Sequence, residues 1–171
     1  VHFRDMRRFG RMWLVKDKDS IVGELGPEPL EKEFTPAVLA QILKNRQVAI
    51  KGLLLDQTLI AGIGNMYADE ALYSARIHPL RPGDSLSRAE VKRLHEAIQK
   101  VLQQGIRHKG ASTDAYLRPG GVKGEAHLQF QVAHRKGKDC PACGCTVERI
   151  VVHQRGTFLC PQCQKLRRNN R

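Results

Sequence analysis

Cys140-Pro141-Ala142-Cys143 and Cys160-Pro161-Gln162-Cys163 are two short cysteine pairs, each enclosing two residues, with sixteen residues between the pairs. This C-x2-C…C-x2-C spacing is that of a structural zinc site. A tight turn points both thiolates of one pair at the same metal, and a hairpin returns the second pair to complete a tetrahedron. Disulfide pairing is the alternative, but disulfide frameworks belong to secreted chains and no stretch reads as a signal peptide. One Zn2+ held by Cys140, Cys143, Cys160 and Cys163 is therefore expected. Cys145 lies between the pairs, breaks neither spacing, and is expected to be a free thiol.

The residues around the cysteines are strongly basic. From His134 to Arg171 nine arginines and lysines face only Asp139 and Glu148. Between the pairs, Val147-Glu148-Arg149-Ile150-Val151-Val152 and Gln154-Arg155-Gly156-Thr157-Phe158-Leu159 are rich in β-branched residues, with a glycine near the turn. They predict two short strands with Arg155 near the tip. A metal-stapled ribbon presenting arginine suits a phosphate backbone. For Leu166 to Arg171 a solvated basic tail is the simpler reading.

The whole chain of 171 residues carries a formal charge of +12, with a pI near 9.9 and 5% aromatic residues. That length allows one or two domains with a real core. The charge implies a polyanionic partner, nucleic acid ahead of a membrane surface. No apolar run approaches the eighteen residues of a transmembrane helix. A reduced, intracellular setting suits the thiolates. Val1 stands within a strand-like run where an initiator methionine would be, and a fragment is expected.

In chain order, Val1-His2-Phe3-Arg4 and Trp13-Leu14-Val15 read as strand pieces flanking Asp5-Met6-Arg7-Arg8-Phe9-Gly10. One of the turn's two arginines and Phe9 could enter a base stack as plug and wedge; alternatively Phe9 packs in the core of an ordinary hairpin. The Gly- and Pro-rich stretch Gly23 to Leu30 reads as a connector and a domain boundary. Thr35-Pro36 opens a helix, and a second helical piece from about Ala49 to Leu55 carries Lys51 in its first turn. A helix from Asn65 to Tyr73 follows, with Pro79 as its stop. Ser87-Arg88-Ala89-Glu90 is a capping box opening an amphipathic helix to about Arg107. The turn Gly62-Ile63-Gly64-Asn65 could dock a phosphate at a helix N terminus, with Asn65 donating its amide; Asn65 as a plain N-cap is the competing reading. From His108 to His127 the chain is a long polar loop, of a length that is functional or disordered. The seven histidines are given packing or surface roles.

Taken together, Asp5 to Gly10, Leu25 to Leu30, Ile50-Lys51 with Leu54-Leu55-Asp56-Gln57, Ile60 to Leu72 and the cysteine hairpin occur in an order that resembles the C-terminal two-thirds of formamidopyrimidine-DNA glycosylase, with endonuclease VIII as a near relative. The resemblance spans essentially the whole chain. It implies a mainly α fold, a helix-two-turns-helix bundle with a small β-hairpin zinc finger of four cysteines, preceded by a short β remnant of an N-terminal β-sandwich domain. The implied domains are 1–34 (strand remnant and linker), 35–127 (helical DNA-binding domain with a lesion-recognition loop) and 128–171 (zinc finger).

The resemblance also implies roles. Arg7 and Phe9 would fill the gap left by an everted base, Asn65 and Arg155 would grip phosphates beside the damaged nucleotide, and Lys51 would lie near the lesion and its phosphates. Ser112, Thr113 and Tyr116 would fall in the loop that closes over the base. The implied partner is double-stranded DNA with a damaged base or abasic site, bound by a monomer in the bacterial cytoplasm, with no membrane. The implied activity is excision of oxidised purines, 8-oxoguanine and formamidopyrimidines, by base flipping in a bifunctional glycosylase and abasic-site lyase. That chemistry uses an N-terminal proline amine, which forms an iminium with the sugar, and an adjacent glutamate acid. Here the first residues are Val1-His2, so this chain alone is expected to be inactive. Met6 for the usual proline, Gln131-Val132-Ala133-His134-Arg135 for the usual Gln-Val-Tyr-Gly-Arg, and the residues after Lys109 depart from the family pattern. A naturally short, non-catalytic DNA-binding protein, or less so an RNA-binding one, is the alternative.

Overall fold

The structure, a computed structural model, describes residues 10–111 and 124–166. Five helices come first: α1 (Asp19–Val22), α2 (Pro36–Leu43), α3 (Ile50–Leu55), α4 (Asn65–Ser74) and α5 (Arg88–Arg107). Two antiparallel strands, β1 (Glu148–Val152) and β2 (Arg155–Leu159), follow. The described residues are mainly helical with one small two-stranded sheet, as expected, while the strand piece expected at Val1 to Arg4 lies outside them.

Local chemistry starts the helices. Thr35 has extended backbone angles and its Oγ1 accepts from Val38 N at 3.3 Å, with Pro36 at the first helical position. Ser87 and Glu90 form the expected reciprocal capping box. α3 has no side-chain cap; instead the carbonyls of Arg81 and Pro79 accept from Ile50 N at 2.7 Å and Lys51 N at 3.3 Å. α4 ends before Pro79 is reached. Arg76 turns left-handed (φ 56°) and Ile77 N donates to Leu72 O at 2.9 Å, which closes the last turn.

The helices pack α4 on α5, α2 on α5 and α3 on α4. Phe34, Leu39, Ile50, Leu54, Leu72, Leu94 and Ile98 are fully buried at their centre. The connector is docked: Gly26 N donates to Gln57 O, Ala61 N donates to Pro27 O, and a Cβ on Gly26 would collide with the Leu59 carbonyl group. His95, one of the histidines assigned to packing, donates from Nε2 to Phe34 O (2.7 Å) and stacks on the Phe34 ring.

One local expectation is corrected and one element is new. Trp13–Val15 form no strand, and Leu14 is fully exposed. A strand needs a partner backbone, and among the described residues none pairs with this segment. α1 was not foreseen; its single turn is organised by Asp17, whose Oδ1 accepts from Asp19 N and whose carbonyl accepts from Ser20 Oγ.

Arg81 joins the 3-10 turn Gly83–Ser85 to the start of α5. Its guanidinium meets Glu90 at 2.5 Å and 3.3 Å and the Ser85 carbonyl at 2.6 Å. Burial pushes the Glu90 carboxyl up, but hydrogen bonds from Arg81 and Ser87 outweigh it and hold the carboxyl at about 2. A carboxyl held below its unfolded value stabilises the fold above that value and loses the effect as pH falls. The stability gap between wild type and Glu90→Gln is therefore expected to be full above about pH 4.5 and to close as pH falls toward 2. Urea unfolding of both proteins at pH 7 and pH 3 measures it; an equal gap at both values would contradict the assignment.

Candidate zinc centre and nucleic-acid interface

The four paired cysteines converge. Their sulfurs all lie within 4.8 Å of one another, with Cys143 to Cys160 at 3.4 Å and Cys140 to Cys163 at 3.9 Å. Tetrahedral Zn–S bonds of about 2.3 Å place sulfurs roughly 3.8 Å apart, so the donor set fits one structural Zn2+. Each pair is bent by its own turn: Gly144 N donates to Cys140 O and Gln164 N to Cys160 O, both at 2.9 Å. Gly144 supplies the left-handed φ of 73° that the first turn needs. Cys145 is exposed and outside the cluster, contributing its carbonyl to Cys140 N.

The finger is docked on α4. Val132, Val147, Cys140 and Cys160 form its small core, against which Tyr73 and Phe158 pack. Glu70 is 5% exposed, and its carboxylate accepts from three successive backbone N–H groups, Gln131, Val132 and Ala133, at 2.9–3.0 Å. Burial raises its pKa, and the three donors counter that. Gln164 takes Cys160 N on its carbonyl oxygen and donates its amide to Ile77 O.

Behind the hairpin lies a buried polar joint. Lys51 is 0% exposed; its Nζ donates to Asp69 Oδ1 at 2.7 Å, Thr157 Oγ1 at 2.8 Å and Gly156 O at 3.2 Å. The second Asp69 oxygen accepts from Phe158 N at 3.1 Å. Burial lowers the Lys51 pKa and raises that of Asp69 to about 6, while each partner favours the other's charged form. The phosphate contact expected of Lys51 is thus not open to it in this structure. All three ammonium protons are used internally, and water is excluded from it.

Asn65 is placed differently from the N-cap alternative. Gly64 is the capping residue, without a side-chain cap, and Asn65 is the first residue of α4. The Asn65 amide donates to Gly156 O at 3.0 Å, and its Oδ1 has no hydrogen-bond partner among the described residues. Gly156 follows Arg155, so one carbonyl receives both Asn65 and Lys51 beside the exposed Arg155. The preceding turn is held by Gln57, which accepts from Gly62 N and donates to Ile63 O. Gly62 is left-handed (φ 78°), and nothing stands within 4 Å of a Cβ built there or at Gly64. The hairpin turn itself is His153-Gln154, both left-handed (φ 46° and 59°), between the paired Val152 and Arg155. Its geometry is that of a two-residue turn usually filled by Asn-Gly. Gly156 sits in β2 instead, where the Arg149 guanidinium lies 2.8 Å from a built Cβ.

The chain after α5 is tied to the residues that lead into the finger: Glu125 N donates to His108 O and Ala126 N to Gly110 O. A groove of about 520 Å³ lies between the connector and α5, lined by Leu25, Leu30, Gly62, Tyr67, Leu102 and Ile106 among others. Arg7, Phe9, Ser112, Thr113 and Tyr116 lie outside the described residues. Asp69, Glu70, Tyr73 and Thr157 were missed in the sequence. The available signal was two successive acids, Asp69-Glu70, on a helix whose other neighbours Ala68, Ala71 and Leu72 are core.

A helix pair joined by two turns, with a tetracysteine finger docked on its second helix, defines a zinc-finger helix-two-turns-helix protein. Residues 25–116 match the formamidopyrimidine-DNA glycosylase H2TH domain, and residues 137–166 match the zinc finger found in FPG and IleRS. The chain belongs to the formamidopyrimidine-DNA glycosylase family. It is 50% identical to the formamidopyrimidine-DNA glycosylase of Chloroflexus aurantiacus over 165 residues, covering 95% of this chain and 59% of that protein. Among solved structures, the MutM (Fpg) protein of Thermus thermophilus superposes with a TM-score of 0.88 at 43% identity, covering 94% of this chain and 62% of that one. The Lactococcus lactis Fpg in complex with DNA containing an abasic site gives 0.86 at 34% identity, covering 95% and 61%. The chain therefore spans about three-fifths of the length of these relatives. Among the described residues no helix is long and apolar enough to cross a membrane.

Proposed function

We propose that this chain is the DNA-gripping portion of a bifunctional glycosylase and abasic-site lyase that removes oxidised purines by base flipping. One observation carries the reading. The Asn65 amide, at the start of α4, meets the carbonyl of Gly156, the residue that follows the exposed Arg155, across 91 residues of sequence. An open Gly-rich turn, a helix N terminus and a guanidinium on one face suit consecutive phosphates of a strand. The solved Lactococcus lactis relative holds abasic-site DNA, which supports duplex DNA bearing an abasic site or damaged base as the partner here.

Arg7 and Phe9 are assigned to the gap left by the everted base, and Ser112, Thr113 and Tyr116 to closure over it. Binding as a monomer is part of the same reading. The amine chemistry is assigned to none of these residues. Borohydride trapping on duplex DNA with an abasic site is expected to yield binding without a covalent adduct, and an adduct would overturn this division of labour. Arg155→Ala is expected to weaken binding to damaged and undamaged duplexes alike, lowering the slope of log K against log salt by about 1. A loss confined to damaged DNA would contradict a phosphate role.

A further inference from the structure

We propose that Tyr73 is a supporting residue of the zinc site, its hydroxyl donating to the Cys140 thiolate and so tying metal retention to the docking of the finger on α4. The phenol oxygen of Tyr73 lies 3.2 Å from Cys140 Sγ, across 67 residues of sequence. A zinc-bound cysteine is a thiolate and can only accept. A phenol, with an ordinary pKa of about 10, is protonated at neutral pH and donates. The direction of the hydrogen bond is therefore set by the metal.

The surroundings make this donor count. Cys140 is 2% exposed, so water has little access to its sulfur. Zn2+ with four thiolates carries a net charge of −2, and a buried charge of that kind needs donors pointed at it. Tyr73 sits on α4 one turn beyond Asp69 and Glu70, the two carboxylates that hold the hairpin and the approach to the finger. The same helix thus grips the finger at three places, and the third is a metal ligand. Loss of docking would remove a donor from the zinc site, and loss of zinc would free the Cys140 sulfur to be a thiol, a weaker acceptor for Tyr73.

Tyr73→Phe separates this role from packing, because the ring that lies against the finger core stays while the hydroxyl goes. The full zinc-loaded chain is compared with Y73F in two ways. Zinc release to a chromophoric chelator is expected to be about tenfold faster in the variant, the low end of what outer hydrogen-bond partners contribute to metal sites. In the cobalt-substituted proteins at saturating cobalt, the thiolate-to-metal charge-transfer band is expected to move to lower energy, since a thiolate relieved of a hydrogen bond is a better donor. A shifted band with faster release supports the proposal. An unmoved band overturns it whatever the release rate, because faster release alone would then reflect looser packing. The cobalt band does not depend on DNA binding, so the result stands apart from the proposed function.

Discussion

Asp69→Ala is expected to destabilise the protein by roughly 3–5 kcal/mol, the range for a buried ion pair broken on one side. Lys51 would keep Thr157 Oγ1 and Gly156 O but lose its counter-charge, at 0% exposure. Phe158 N would lose its acceptor as well. Replacing both members by apolar residues of similar volume, Lys51→Met with Asp69→Leu, removes the stranded charge and is expected to recover most of that loss. Duplex binding should not recover in the double variant. The pair fixes Gly156 to Phe158 of β2, and with them the carbonyl that the Asn65 amide meets. Urea unfolding of the single and double variants, with duplex titration of each, decides the matter. A double variant as unstable as the two single losses added together would show that the two charges do not act as a pair.

Removing the zinc is expected to unfold residues from about 130 onward and to leave α2 to α5 folded. The finger core is small, with four fully buried residues of which two are metal ligands. Metal binding supplies about 10–16 kcal/mol in comparable zinc sites, more than so small a core can replace. The helical body has its own core from Phe34 to Val101 and does not depend on the metal. Duplex affinity should fall by about two orders of magnitude, since Arg155 and the other basic residues of the finger are lost together and each phosphate contact contributes to the salt-dependent term. Hydrogen exchange before and after chelation, with zinc content measured, locates the unfolding. Protection retained across β1 and β2 in metal-free protein would refute the expectation.

Local features were legible in the sequence because their physics is local. The C-x2-C spacing alone brings two sulfurs within reach of one metal, and the four do meet. Thr35-Pro36 and Ser87 to Glu90 start helices through contacts three residues long. The strands between the cysteine pairs were readable from β-branched composition and a short span. The family pattern singled out Asn65 and Arg155, and in the tertiary structure the Asn65 amide meets the carbonyl of Gly156, the residue after Arg155.

Tertiary structure alone decided the rest. Lys51 looks like any basic residue in a first helical turn, and only the return of the chain to Thr157, 106 residues later, makes it a buried joint. Glu70 reads as helix surface until three backbone N–H groups from the approach to the finger close on it. Tyr73 is another aromatic position on a helix until Cys140 arrives beside it. Each of these side chains is ionised or polar, and the cost of burying it unpaired is what the distant partner offsets. Spacing within a segment specifies the geometry that a few bonds can transmit, whereas a buried charge is defined by whichever remote group reaches it, and that is set by the packing of the whole fold.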